Sequence, residues 1–281
     1  MENKKADLHI HSYYSDSDLS IQEIFNQAKK KGIDALSITD HDTVQGIEEA
    51  LSLSKIYDIE FIEGIELSAE YNNAEIHILG YFIDSTNKSL IEALDNVKDL
   101  RKERLIKMAE KINSLGGKVD IDELISRINE KIATRLHLAL YMVEKGEVAS
   151  IWEAFRKYLS FGRPAYIARI KFSVREAIAL IKEAKGLAVL AHPHFLPSKE
   201  WIEKFSQWGL DGIEVRYPRY TPSIVEQFSQ IAERLGLLKS GGSDSHGSYK
   251  EFTSIGEVWI PYTWVERLKN VKRDLLYKEN I

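Results

Sequence analysis

Residues 35–42 read Ala35-Leu36-Ser37-Ile38-Thr39-Asp40-His41-Asp42, an apolar run of strand length that turns abruptly polar at its end. A strand that becomes polar at its C-terminal end is typical of α/β proteins, which place their active sites there. The stretch therefore predicts a buried strand followed by a functional loop. His41 is the candidate metal ligand in that loop.

Similar short apolar runs recur along the chain and alternate with helical patterns, as βα units do. The segment Ile21–Lys31 has an apolar stripe at helical spacing, and Gly32 follows as a C-terminal stop. The alternation predicts a parallel α/β barrel or an open sheet. The predicted strands are Ala6–His11, Ala35–Thr39, Glu60–Leu67, Glu75–Phe82, Leu187–His192, Gly212–Arg216, Leu237–Ser240 and Glu257–Ile260.

From about Leu90 to Phe161 the alternation stops, and apolar residues keep helical spacing as far as Gly116-Gly117. Asp120 before Glu123, and Ser150 before Glu153, have the spacing of capping boxes that open two further helices. We therefore expect a small, all-helical insertion domain at residues 90–161. Residues 1–89 and 162–281 would form the main α/β domain.

Composition limits the kind of protein and the kind of metal site. The 281 residues are 44% hydrophobic, and they contain neither an apolar run of about 20 residues nor a signal-peptide core, so we expect a cytoplasmic protein with no membrane partner. Because the chain has no cysteine, a metal would be held by imidazole and carboxylate groups. The net charge of −5 argues against stable binding of duplex nucleic acid.

Histidines and carboxylates recur in pairs two residues apart at predicted strand ends. His9 and His11 form the first pair, and side chains two apart in a strand share one face at about 6.6 Å, close enough to bind one ion. The other pairs are His192 with His194 and Asp244 with His246. Polar groups at buried strand ends are costly without partners, so the pattern favours a metal site. Asp16, Glu66 and His77 are further candidates of this kind.

These residues resemble the motifs of the PHP (polymerase and histidinol phosphatase) superfamily, in the family's order and over nearly the whole chain. The motifs are Asp7–Ser12 with Ser15-Asp16, Thr39–Asp42, Gly64–Glu66, His77–Tyr81, Ala191–Pro193 and Gly242–Gly247. The resemblance implies a distorted (β/α)7 barrel with three divalent metal ions, either Mn, Fe or Zn. The implied ligands are His9, His11, Asp16, His41, Glu66, His77, His192, Asp244 and His246.

The helical insertion resembles the stand-alone branch of that family, whose members are metal-dependent phosphoesterases. The implied substrates are nucleoside 3′,5′-bisphosphates or the 5′ ends of short oligonucleotides, with Arg135 and His194 as phosphate contacts. Ions that share a water lower its pKa, so a metal-bridging hydroxide would attack phosphorus. The expected catalytic residues are Asp16, Glu66, Asp244 and His194. Asp16, His194 and a metal-bound water remain alternatives as the group that protonates the leaving group.

Three other functions stay open at this point. Histidinol phosphate phosphatases belong to the same superfamily, and amidohydrolases that cleave C–N bonds also begin with a His-x-His strand. Amidohydrolases commonly use a bridging lysine carbamate, whereas this chain has Glu66 at the bridging position. A non-catalytic domain of the kind attached to DNA polymerases is the third alternative. The sequence does not predict the oligomeric state.

Overall fold

The computed structural model describes residues 4–129, 131–168, 172–250 and 253–279. The chain divides into two compact units, the first comprising Met1–Ile91 and Phe172–Ile281 and the second Glu92–Lys171. Within the described ranges, we find no helix with the length and apolar character that crossing a bilayer requires.

The first unit contains ten strands and six of the helices of the described chain, and a further helix begins in it. The strands are β1 (Lys5–Ile10), β2 (Ala35–Ile38), β3 (Glu60–Phe61), β4 (Gly64–Tyr71), β5 (Ala74–Tyr81), β6 (Phe172–Ser173), β7 (Leu187–Leu190), β8 (Gly212–Arg216), β9 (Leu238–Gly241) and β10 (Ile260–Pro261). The helices are α1 (Ile21–Lys30), α2 (Ile47–Tyr57), α7 (Val174–Glu183), α8 (Glu200–Gln207), α9 (Pro222–Leu235) and α10 (Tyr262–Glu279). Helix α3 (Lys88–Ser114) is the one that continues into the second unit.

The strands form two sheets, with the orders β10-β1-β2-β3 and β6-β4-β5-β7-β8-β9. Strands β1, β2 and β3 are parallel, as are β7, β8 and β9, whereas β10 is antiparallel to β1. Two isolated parallel bridges join the sheets, one between Ile10 and Ser245 and the other between His41 and Glu66. Both bridges lie at or beside candidate metal ligands. The two sheets therefore meet at the part of the fold that contains those ligands.

The expectation of an all-parallel arrangement is wrong at β5, which is antiparallel to both β4 and β7. The cause is the two-residue connection Asn72-Asn73, whose φ angles are +49° and +63°. Two consecutive residues with positive φ make the tight turn of a β-hairpin, and asparagine tolerates this conformation better than most residues. The Asn-Asn pair was therefore a hairpin signal in the sequence.

The single predicted strand Glu60–Leu67 is also wrong, because two strands of different sheets occupy this segment. Strand β3 pairs with β2 and ends at Phe61, whereas β4 begins at Gly64 and pairs with β5. A side chain at Gly64 would place its Cβ 2.2 Å from the Ser37 hydroxyl. Glycine is thus required for β4 to pass close to β2, and this approach brings Glu66 to the end of β2.

Helix α1 shows how local sequence places the first unit's core. Its predicted apolar stripe of Ile21, Ile24, Phe25 and Ala28 is buried, and Ser20 and Glu23 form a capping box at its start. These side chains pack with Ile10 and Leu36 of the neighbouring strands. A second cluster, which includes Leu8, Tyr81, Val189 and Ile260, contains side chains from strands of both sheets.

The second unit is helical in its described part. Besides the end of α3 it contains α4 (Ile121–Ile128), α5 (Arg135–Glu144), α6 (Ile151–Ala154) and a π-helical turn at Phe155–Leu159. Each predicted capping box is formed only in part, since Asp120 accepts a hydrogen bond from the Glu123 backbone N–H and Ser150 accepts one from that of Glu153. The return bonds are replaced: the Asp120 backbone N–H donates to the Tyr141 hydroxyl, and Glu153 accepts from the Ala149 backbone N–H. The unit has its own apolar core, which includes Met108, Leu138 and Leu159.

Candidate metal centre

All nine residues predicted as metal ligands lie in the first unit, and the ends of its strands bring them together. Strand β1 supplies His9, and His11 and Asp16 follow it. His41 follows β2, Glu66 lies in β4 and His77 lies in β5. His192 follows β7, and Asp244 and His246 follow β9.

The Glu66 carboxylate lies at the centre of the cluster and is only 1% exposed. Five imidazole nitrogens surround it within 3.5 Å. On Oε1 they are those of His77 at 3.0 Å, His192 at 3.3 Å and His9 at 3.5 Å, and on Oε2 those of His41 at 3.1 Å and His11 at 3.2 Å. A carboxylate between imidazoles on both oxygens is well placed to bridge two ions.

Two further carboxylates flank the same histidines. Asp244 Oδ1 lies 3.3 Å from His11 Nε2, 3.4 Å from His9 Nε2 and 3.5 Å from His246 Nδ1. Asp16 lies 3.4 Å from His246 Nε2, 3.5 Å from His11 Nδ1 and 3.7 Å from His41 Nε2. The three carboxylates thus share their histidines, which makes one continuous cluster.

The cluster fits divalent metal ions by two tests. Three groups of ligand atoms each lie within 4.8 Å of one another: His11, Asp16, His41 and His246; His9, His11 and Asp244; His41, Glu66 and His77. In the described chain, buried atoms of the cluster also lack a well-formed hydrogen bond, namely His9 Nε2, His11 Nδ1 and Nε2, His41 Nδ1 and Glu66 Oε2. Buried polar atoms need partners, and a cation can supply one to Glu66 Oε2 and to one unprotonated nitrogen of each imidazole, whose other nitrogen keeps its proton. His192 belongs to none of the three groups, although it contacts Glu66.

The protonation of the metal-free cluster follows from its crowding. Burial alone would lower the pKa of His11 and His77, but the nearby carboxylates outweigh burial and raise the pKa to about 10 for His11 and to about 9 for His77. Burial, together with the positive charges of those two histidines, lowers the pKa of His41 to about 3. Although burial opposes it, neighbouring histidines hold the pKa of Asp16, Glu66 and Asp244 well below the usual range.

We expect the affinity for manganese to increase with pH between pH 6.5 and pH 8. In this pH range His11 and His77 of the metal-free chain are in the protonated, positively charged form, because their pKa values lie above it. A metal ion must displace the extra proton from each ring. Each proton released strengthens apparent binding about tenfold per pH unit. Calorimetric titration in two buffers of different ionisation enthalpy measures both quantities. Binding without proton release, or weaker binding at higher pH, would contradict the expectation.

Glu214 is a functional residue that the sequence analysis missed. It is fully buried in β8, its Oε1 lies 3.0 Å from His9 Nδ1, and its Oε2 accepts a hydrogen bond of 2.7 Å from the His192 backbone N–H. It thereby orients the His9 ring and holds His192, whose φ is +30°, in its turn. An acid within the apolar strand Gly212–Arg216 is the same signal that pointed to Glu66.

Replacing Glu214 with glutamine should weaken metal binding about 10- to 100-fold, the usual effect of losing such an orienting group. An amide has one acceptor oxygen, so the glutamine side chain can keep only one of the two hydrogen bonds. Manganese titration of the wild type, of Glu214→Gln and of a control at the exposed Glu226, Glu226→Gln, measures the effect. Equal affinity in all three proteins would show that Glu214 does not orient the cluster.

Asp40 holds the loop that carries Asp16. Its carboxylate is 3% exposed and accepts hydrogen bonds from the Ser12 backbone N–H at 2.7 Å and from the hydroxyls of Ser12 and Ser15 at 2.5 Å each. The loop is thereby tied to the end of β2. On the other side of the cluster, the Tyr217 hydroxyl donates to Asp244 Oδ2 at 2.6 Å, and the Lys250 ammonium contacts the same oxygen.

The two residues predicted as phosphate contacts lie in different units. His194 borders the cluster in the first unit, and its Nδ1 is 2.9 Å from the Tyr220 hydroxyl. Partial burial and the positive charges of His192 and Lys250 lower its pKa to about 4. Arg135 opens α5 in the second unit, where it donates to the Leu159 carbonyl at 3.3 Å.

Six histidines and three carboxylates at the strand ends of an α/β fold define a metal-dependent hydrolase. The chain belongs to the family of PHP domain proteins, whose sequence model matches residues 7–170. A 5′-3′ exoribonuclease of Haemophilus influenzae is 32% identical over 95% of this chain and 94% of its own. A 3′,5′-nucleoside bisphosphate phosphatase of Chromobacterium violaceum is 32% identical over 85% of this chain and 86% of its own.

Two solved structures are similar over most of their length. A Bifidobacterium adolescentis protein described as a metal-dependent phosphoesterase has a TM-score of 0.87 and 29% identity, and covers 95% of this chain and 96% of its own. A Chromobacterium violaceum protein described as an amidohydrolase, solved with bound sulfate, has a TM-score of 0.81 and 31% identity, with 90% of each chain covered. The sequence relatives and the Bifidobacterium structure together identify the chain as a metal-dependent phosphoesterase.

Proposed function

We propose that this protein hydrolyses a phosphate ester of a small nucleotide, either a nucleoside 3′,5′-bisphosphate or the 5′ end of a short oligonucleotide. The observation that carries the proposal is the Glu66 carboxylate with five imidazole nitrogens within 3.5 Å. The two sequence relatives are named for these two kinds of substrate.

We further propose that the nine residues hold three divalent ions, with manganese the first to be tested. The three groups of ligand atoms support this number, and Glu66 is the residue best placed to bridge. Imidazole and carboxylate donors suit Mn, Fe and Zn. Bound ions would supply a water of lowered pKa and positive charge towards phosphate oxygens.

The chain's own residues would bind the phosphate and the leaving group. Lys250, which contacts Asp244 and lies 3.3 Å from the Tyr217 hydroxyl, brings a positive charge to the edge of the cluster. His194 is neutral at pH 7 because its pKa is low. Its neutral ring can therefore donate a hydrogen bond from N–H to a phosphate oxygen, but it has no acidic proton to transfer to the leaving group. Asp16, whose pKa is also low, is ionised and likewise has no proton to transfer to the leaving group.

A distorted (β/α)7 barrel is the architecture that we propose for the first unit. In support, the two isolated bridges link β1 to the segment after β9, and the end of β2 to β4, so that β1, β2, β4, β5, β7, β8 and β9 follow one another in a ring. We propose residues 90–161 as the helical insertion domain. The compact unit Glu92–Lys171 supports its existence, and Arg135 would be its phosphate contact.

The proposed function is tested by phosphate release from manganese-loaded protein with a panel of substrates. The panel contains a nucleoside 3′,5′-bisphosphate, a 5′-phosphorylated oligonucleotide, histidinol phosphate, a generic phosphodiester and an N-acyl amino acid. Chelation of the metal should abolish all activity, and added manganese should restore it. Preference for either of the first two substrates would support the proposal, whereas preference for histidinol phosphate or for the C–N bond would overturn it.

A further inference from the structure

The second unit differs in charge from the rest of the chain. Residues 92–171 contain 16 lysines and arginines and 12 aspartates and glutamates, a net charge of +4, whereas the whole chain carries −5. Within residues 152–166 there are five aromatic residues and three basic ones, and the one acid, Glu153, is paired with Lys157. Basic residues interleaved with aromatic ones are typical of surfaces that bind nucleic acid.

Two of these aromatic side chains are largely exposed to solvent. Trp152 is 70% exposed and Phe161 is 83% exposed, although large aromatic side chains usually bury most of their surface. The Arg156 guanidinium lies 4.9 Å from the centre of the Trp152 ring. The Arg163 side chain is also exposed, two residues beyond Phe161. Each exposed ring is thus accompanied by an arginine.

The Phe161 ring has an aromatic neighbour that is itself packed against other side chains. The Phe161 ring meets the Tyr166 ring edge to face, with 5.5 Å between ring centres. The Arg135 guanidinium lies 5.9 Å from the centre of the Tyr166 ring and 5.5 Å from that of Phe155. Phe155 opens the π-helical turn at Phe155–Leu159, a deviation from α-helix that is frequent at functional sites. The exposed ring therefore contacts Tyr166, whose own ring lies beside Arg135.

We propose that Trp152, Arg156, Phe161 and Arg163, here named the aromatic–arginine surface, bind an unpaired nucleic-acid strand. Bases stack on the two rings, and the two arginines attract the phosphates between them. The strand is unpaired because bases within a duplex already stack on their neighbours. The inference rests on the proposed function and deepens it, since it assigns a binding surface for oligonucleotide substrates.

The test is the equilibrium binding of a short, cleavage-resistant, 5′-phosphorylated RNA to the full manganese-loaded chain, followed by fluorescence anisotropy. We expect Trp152→Ala and Phe161→Ala each to weaken binding about tenfold, the effect of losing one stacked base. Tyr277→Ala, which removes an aromatic side chain of 66% exposure in the first unit, is the matched control and should bind as the wild type does. Arg156→Ala and Arg163→Ala should each reduce the slope of log affinity against log salt by about 0.7.

Hydrolysis of a nucleoside 3′,5′-bisphosphate separates the two proposals, because this substrate has no further base to stack. All five variants should hydrolyse it at the wild-type rate. Unchanged RNA binding in Trp152→Ala and Phe161→Ala, or tighter binding of duplex than of single strands, overturns the aromatic–arginine surface. A third outcome is that RNA binding depends on the two rings but the protein hydrolyses no phosphate ester. That result overturns the proposed function and supports the aromatic–arginine surface.

Discussion

Replacing Glu66 with glutamine should reduce manganese-dependent phosphate release at least about a thousandfold, equivalent to about 4 kcal/mol of transition-state stabilisation. Glutamine keeps the shape of the side chain but removes the negative charge that five imidazole nitrogens surround. The amide also offers a donor to a metal on one of its two sides, where the carboxylate offered an acceptor. Initial rates at saturating manganese measure the effect.

The Glu66→Gln variant should remain folded. In the metal-free chain the negative charge of Glu66 is one reason why the pKa values of His11 and His77 are high. Without that charge these histidines lose protons more readily, so the variant buries no unpaired positive charge. Circular dichroism and thermal melting check the fold. Glu63→Gln is the control, since Glu63 accepts a hydrogen bond from Ser85 and lies outside the cluster.

Asp244→Asn should reduce activity by a similar factor, for a related reason. One oxygen of Asp244 faces His9, His11 and His246 within 3.5 Å, and the other accepts hydrogen bonds from Tyr217 and Lys250. The amide removes the charge and turns a donor towards one of these two sets of neighbours. Asparagine is the appropriate replacement because Asp244 has a φ of +48°, a conformation that asparagine tolerates better than alanine does.

Asp58→Asn is a matched control for Asp244→Asn. Asp58 has a similar φ of +51° and is exposed at the end of α2, so the same replacement there tests the backbone effect alone. Metal content measured beside the rates would show whether lost activity reflects lost metal. If Glu66→Gln and Asp244→Asn both retain wild-type activity, the cluster is not the catalytic centre and the proposed function is wrong.

The sequence predicted most of the strands and the candidate ligands because both depend on local patterns. An apolar run of four to eight residues specifies a buried strand, and a pair such as His9 and His11 specifies two side chains on one face. Predicted and observed bounds differ by one or two residues in β1, β2, β5, β7 and β9, and they agree in β8. The structure brings all nine candidate ligands together, and their binding of metal stays a prediction.

The strand directions were predicted less well, for reasons that can be located. The Asn72-Asn73 turn reverses the chain between β4 and β5. The prediction of parallel βα units did not take this turn into account. The division between β3 and β4 has a different cause, because it depends on which other strands the two halves of the segment pair with. Strand β3 pairs with β2, whereas β4 pairs with β5 and β6.

The sequence by itself determined which residue types stand at the strand ends, since side-chain alternation along a strand is a local property. Only the tertiary structure decided which of them meet. Glu214 contacts His9 across 205 residues of chain, and in the second unit the Arg135 guanidinium lies 5.9 Å from the centre of the Tyr166 ring. Such contacts depend on which strands and helices become neighbours in space. The burial of apolar side chains in the cores determines that arrangement.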